Sequence, residues 1–229
     1  MNGLWVLILL ILISALPVLL VYIWFRLSKF SISLPWFLLS LLGGAAALTV
    51  AALIQSLVPG SDKTTLWVVL YTIFIRIALF EEAGRFIVLL FIFGFIRRLK
   101  KENVLLTSAY CAATGLLTGL GFAVIETASY GAADMSIALL RAFTAAPIHG
   151  ACGSRVGLAA LKCTRAPVRC AAWFFSAVII HGAYNFLLVS PGTSRILPIL
   201  IAFAMLVSPV RIIRNGLNES LHLEGRNIL

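Results

Sequence analysis

The stretch that decides the fold is "RIALFEEAGRFIVLLFIFGF", Arg76 to Phe95. It is apolar enough to cross a bilayer and has the length, about 20 residues, that a crossing needs. Yet Glu81 and Glu82 stand side by side within it, and Arg85 follows one turn later. A charged side chain at mid-bilayer costs roughly 2.5–3.5 kcal/mol on insertion scales. Three such side chains in one span call for partners, and partners have to come from other spans.

The rest of the chain has the same character. Of 229 residues, 62% are hydrophobic and 11% charged, whereas a soluble domain is roughly 45–50% apolar and about 25% charged. The chain reads as an integral membrane protein, all-α, a polytopic helix bundle. At this length one transmembrane domain, residues 1–229, is the simplest organisation. The net charge of +10 is explained by basic residues that collect in cytoplasmic loops, and nucleic-acid binding is excluded on that ground. Cys111, Cys152, Cys163 and Cys170 show no zinc-finger spacing and read as buried or cytosolic thiols. The segment "MNGLWVLILLILISALPVLLVYIWF" has neither a basic leader nor an A-x-A-like cleavage site, so it reads as a retained first span.

Apolar runs predict seven spans: Leu4–Phe25, Leu34–Val58, Leu66–Ile96, Val104–Tyr130, Ser136–Leu161, Ala171–Val189 and Ile196–Ile213. Lys and Arg in the connections fall twelve on one side, including Arg97, Arg98, Lys162 and Arg214, and two on the other, Lys63 and Arg195. That bias predicts an outside N-terminus and a cytoplasmic C-terminus with a polar tail over about residues 214–229. Gly115 with Gly119, and Gly153 with Gly157, have the spacing that lets membrane helices approach closely.

Inside the spans the ionisable residues are Arg76, Glu81, Glu82, Arg85, Glu126, Arg141, His149, Arg155 and His181. Each is a functional-site hypothesis, because an unpaired charge in lipid has no compensating gain. Counting helical rise from the span ends places Glu81, His149 and His181 near one level on three different helices. Glu81 and Arg85 share a face, so Arg85 is expected to partner Glu81, and Glu82 points about 100° away. His181 shares a face with Asn185. Glu126 and Arg141 lie closer to the outer surface, and could form a structural ion pair or gate the site. Arg76 and Arg155 read as snorkelling or structurally paired.

A carboxylate beside an imidazole can activate a water, and a second histidine with an asparagine can donate to an oxyanion. That set suffices for peptide hydrolysis without a covalent intermediate. Zinc is the rival occupant, because two histidines and a glutamate can hold it, but no HExxH occurs and Arg85 sets a positive charge beside the metal. The same polar core would also serve a proton- or ion-coupled transporter.

The motifs resemble a known superfamily, the glutamic-type intramembrane proteases, which include CAAX prenyl proteases, PrsW and YhfC-type proteins. "EEAGR" (Glu81, Glu82, Arg85) looks like the paired-glutamate motif. "GLGFAVIET" (Gly119 to Thr127) is similar to the Gly-Phe…Glu segment of the PrsW and YhfC branches. "RAFTAAPIHG" (Arg141 to Gly150) looks like the helix of the first histidine, and "HGAYN" (His181 to Asn185) like the final His-x-x-x-Asn motif. CAAX proteases place three residues between the glutamate pair and the arginine where this chain has two, which favours the PrsW or YhfC branch. The resemblance implies a catalytic core over about residues 66–190 in a bacterial plasma membrane. It implies a membrane-embedded or juxtamembrane peptide as substrate and no metal cofactor, although metalloprotease labels persist for some branches. Carried over, Glu81 activates water assisted by His149, His181 and Asn185 stabilise the oxyanion, and Glu82 and Arg85 organise the site, with Glu126 and Arg141 in support.

Overall fold

The computed structural model describes residues 3–28, 30, 32–60, 65–99, 106–132, 135–190, 194 and 196–226. Among these there are no strands, and seven helical rods carry nearly everything. They are α1 (Gly3–Leu27), α2 (Leu34–Ser56), α3, α4 (Ser108–Gly131), α5 (Met135–Lys162), α6 (Pro167–Val189) and α7 (Ile196–Arg226). The rod α3 is continuous but changes character along its length. It is α-helical over Leu66–Leu70, π-helical over Tyr71–Leu79 and α-helical again over Phe80–Leu99.

Five of the rods, α1, α2, α4, α6 and α7, are long and apolar enough to cross a membrane by length and composition. The other two, α3 and α5, bear seven of the nine ionisable residues singled out above, Glu126 being on α4 and His181 on α6. The chain is therefore an integral membrane protein whose polar residues are concentrated on two of its helices.

Small residues set the packing. The antiparallel pair α4 and α5 forms the centre, and α1, α2, α3, α6 and α7 all lie against one or both. A Cβ on Gly153 would fall 2.1 Å from the carbonyl oxygen of Gly115, and one on Gly119 would fall 2.1 Å from that of His149. Only hydrogen fits there, so the two backbones touch. Dispersion between closely packed backbones and alanine-rich faces takes over the cohesive role that water exclusion plays in a soluble core. The same contact fixes the depth of His149 against α4.

Two boundaries differ from expectation for local reasons. Helix α6 begins at Pro167, before the apolar run starts at Ala171, because proline lacks only an N–H that the first turn cannot use. Helix α7 runs on through the segment read as a polar tail, as far as Arg226. Its continuation is held by Gly216, where a Cβ would meet the backbone nitrogen of Ala109 at 2.4 Å, at the start of α4.

Candidate active site

Side chains from four helices meet in the interior. Glu81, Glu82 and Arg85 come from α3, Glu126 from α4, Arg141 and His149 from α5, and His181 from α6. Glu82 and Arg85 are fully buried, and His149 and His181 are almost so. Glycine again makes the approach work. A Cβ on Gly182 would lie 2.4 Å from the Phe74 ring, so α6 lies flat on the π-helical part of α3 and brings His181 to the glutamate pair. The π-helical stretch ends just before that pair, and such departures from α geometry recur at functional sites.

Arg85 is the hub. Its Nη1 donates to Glu82 Oε1 and its Nη2 lies 2.7 Å from His149 Nδ1. The guanidinium also sits over the Phe122 ring, 4.4 Å from the centroid, a cation–π contact. The expected pairing of Arg85 with Glu81 is present, but it is the looser of two. Glu81 Oε2 stands 3.7 Å from Arg85 Nη2, an ion pair without a hydrogen bond, and Glu82 is the nearer partner. Residues three apart are helix neighbours as well as those four apart, and Phe122 and His149 fix which way the guanidinium turns.

The donors and acceptors assign the histidines. A guanidinium only donates, so Nδ1 of His149 accepts and its Nε2 carries the proton. That Nε2 lies 2.7 Å from Glu126 Oε2, which in turn is 2.5 Å from Arg141 Nη2. Both ring nitrogens of His149 are committed. His181 differs. Its Nδ1 is 2.7 Å from Glu82 Oε1, the oxygen that also accepts from Arg85, so Nδ1 donates. In the neutral ring its Nε2 then presents a lone pair towards Glu81 Oε2, 3.7 Å away. Glu81 Oε2 itself is buried without a hydrogen-bond partner among the described residues. A glutamate oxygen and an imidazole nitrogen, both acceptors when the ring is neutral, therefore stand 3.7 Å apart. A water touching both would be polarised through each of its hydrogens.

The remaining expected residues can be placed. Glu126 and Arg141 form the ion pair that was one of the two readings for them, and Glu126 extends it inward to His149. Arg141 also lies over Tyr130, 4.2 Å from its ring centroid. A continuous polar chain thus runs from buried Glu82 to the partly exposed Glu126 and Arg141. Asn185 is half-buried, and no hydrogen bond joins its amide to the described residues. Outside this cluster, Arg76 Nε donates to the Val58 carbonyl and Arg155 Nη1 to that of Ala151, both structural anchors. Sequence reasoning missed Phe122, which packs on Arg85 and at 5.1 Å on His149. Its place one turn before Glu126 in "GFAVIE" was the available signal. It also missed Tyr184, whose hydroxyl donates to Thr144 Oγ1 at 2.9 Å and ties α6 to α5 next to the site.

Comparison with known proteins fits this geometry. Residues 33–210 match the family model described as "PrsW family intramembrane metalloprotease". The match takes in five of the seven helices whole, the first half of α7 and every residue of the cluster. This protein therefore belongs to the PrsW family, an intramembrane protease family. No curated protein and no solved structure matches the chain.

The family description implies a metal, and Glu81, His149 and His181 offer ligand atoms within 4.8 Å of one another. Tested against the donor chemistry, only two of the three are free. Glu81 Oε2 and His181 Nε2 have lone pairs to give, whereas His149 spends its lone pair on Arg85 and its proton on Glu126. A catalytic zinc usually has three protein ligands, and the Arg85 cation lies 3.7 Å from the glutamate oxygen that would bind it. As arranged, the residues do not fit a catalytic metal.

Proposed function

We propose that this protein is a glutamic-type intramembrane endopeptidase, in which Glu81 and His181 together activate the water that attacks a membrane-embedded or juxtamembrane peptide bond. The observation that carries this reading is the pair of facing acceptors, Glu81 Oε2 and His181 Nε2, 3.7 Å apart in a buried polar cluster. Water held there loses a proton to Glu81 as it attacks, and the proton passes to the leaving amine. Glu82 holds the His181 tautomer through Nδ1 and is itself held by Arg85. His149, locked between Arg85 and Glu126, positions that guanidinium. Arg85 Nη2 close to Glu81 and the free amide of Asn185 are the groups available to stabilise the developing oxyanion. Relative to the family resemblance, His149 and His181 exchange emphasis: His181, not His149, shares the water with Glu81.

The same reading takes all seven rods as spans, with the N-terminus outside and the C-terminus in the cytoplasm, supported by twelve basic residues against two in the connections. One transmembrane domain with its core over about residues 66–190 follows from it. The test is direct. Purified wild type is expected to cleave a membrane peptide in liposomes, and Glu81→Gln to lose about 10²–10⁴-fold in rate while staying folded.

A second reading is favoured by a specific observation, the 4.8 Å clustering of Glu81, His149 and His181 together with the family description. In it, His149 leaves Arg85 and the three residues hold zinc, which would supply Lewis-acid activation of water. Stoichiometric zinc in the purified protein and loss of cleavage with chelator would establish that reading. Cleavage by a zinc-free preparation would remove it.

A further inference from the structure

A cavity lies on the other side of α5 from the polar cluster. Helices α1 and α7 both lie on α4 and α5 more closely than on each other, and leave a groove between them of about 250 Å³. Its lining is almost wholly apolar and includes Leu116, Ala146 and Gly150 on the floor. Three prolines inside helices, Pro17 of α1, Pro147 of α5 and Pro209 of α7, all border it. Each removes a backbone hydrogen bond and widens its turn, which is why close-packed helices leave room here. Gly150 faces this groove. His149, one residue earlier, is turned about 100° away, so a chain lying in the groove does not reach Glu81.

The dimensions choose the occupant. From Leu16 to Trp24 the α1 wall is about 12 Å long, and the groove along it holds about 250 Å³. A helix segment of that length with its side chains, about 10 Å across, needs roughly 900 Å³. The groove has room for an extended hydrocarbon chain along its length and is too small to enclose a substrate helix. Its length is most of the about 15 Å that one leaflet of a roughly 30 Å hydrocarbon core provides. The rim, formed by Leu20, Phe143, Phe203 and Leu206, is about half exposed, so the groove opens sideways.

Charge chooses the headgroup. On α7 the lining ends at Val210, and Arg214, one turn further on the same face, is exposed, as are Arg211 beside it and Arg26 at the end of α1. Trp24 lines the groove at this end, the level at which aromatic residues mark the membrane interface. The next acid along α7 is Glu219, more than a turn beyond Arg214. We propose that the groove between α1 and α7 is a binding site for one acyl chain of an anionic glycerophospholipid, whose phosphate is held by Arg214 and its basic neighbours.

Native mass spectrometry of the full chain in detergent, titrated with phosphatidylglycerol and with phosphatidylcholine of the same acyl chains, tests the site. Wild type is expected to bind one lipid per chain, with phosphatidylglycerol preferred about fivefold, the effect of one basic residue at an anionic surface. Ala146→Phe fills the floor and is expected to lose that lipid. Arg214→Gln is expected to keep it and lose the preference. If Ala146→Phe does not fold, Leu206→Trp at the rim carries the same expectation as the filling variant. Glu81→Gln is expected to bind lipid as wild type does, which separates this site from the peptidase reading. Equal binding by wild type and a folded filling variant overturns the proposal, as does an unchanged preference in Arg214→Gln. Uptake of detergent or free peptide but no phospholipid overturns it as well.

Discussion

Arg85 shows most plainly how single residues make this interior workable. A guanidinium buried among membrane helices is tolerable only with its charge compensated, and here Glu82, His149 and the Phe122 face compensate it together. Removing one member of a buried charge pair typically costs about 3–5 kcal/mol, because the partner is left uncompensated. Arg85→Met is therefore expected to lower the melting temperature of the purified protein sharply. Arg85→Lys should rescue it poorly, since one ammonium cannot reproduce the planar fork that meets Glu82 and His149 at once. A thermal melt of Arg85→Met matching wild type would contradict this hub. Asn185 should behave in the opposite way. Its amide makes no hydrogen bond among the described residues, so Asn185→Ala should leave the melt unchanged and, if it donates to an oxyanion, cost about 10²–10³ in kcat. A kinetic comparison at saturating substrate distinguishes that outcome from loss of binding. The identity of these residues was legible in the sequence, because charges in apolar runs are conspicuous. Their partners were not. Helical spacing allowed Arg85 to meet either glutamate, and the choice was made by Phe122 and His149, which arrive from helices far away in sequence.

At the scale of helices, glycine positions decide the bundle. Gly119 lies against the His149 carbonyl, so Gly119→Ala forces α4 and α5 apart at the depth of the site. Overpacking of this kind costs about 1–3 kcal/mol, and more where neither backbone can move. Gly94 of α3 meets nothing within 4 Å, so Gly94→Ala is expected to be neutral or to stabilise by up to about 1 kcal/mol through helix propensity. Melting curves of the two variants, measured side by side, check the account. Equal destabilisation would show that the close approach of α4 and α5 is not what holds the bundle. Helix positions came directly from apolar runs, and the Gly115/Gly119 and Gly153/Gly157 spacing announced a close pair. The π-helical stretch Tyr71–Leu79 and the extension of α7 to Arg226 did not show in the sequence. Both depend on packing, against Gly182 in one case and through Gly216 in the other, and a local pattern carries no record of a distant neighbour.

For the molecule as a whole, membership of the PrsW family and the cluster of buried carboxylates and imidazoles belong together: a hydrolytic site inside a bundle needs walls that keep lipid out and a polar chain that keeps water in. The seven-span orientation can be checked through Cys163, which lies just beyond α5 and is part-exposed. A variant retaining only this cysteine should resist a membrane-impermeant maleimide in intact cells and react after permeabilisation. Labelling in intact cells would invert the topology.

The most direct test of the central claim is the rate at which purified protein, freed of metal by chelator and reconstituted in liposomes, cleaves membrane peptides released from cells, compared with Glu81→Gln. The account predicts cleavage by the metal-free wild type and a loss of about 10²–10⁴-fold in Glu81→Gln with an unchanged melt. Cleavage that persists undiminished in Glu81→Gln, or that requires added zinc in wild type, would contradict it.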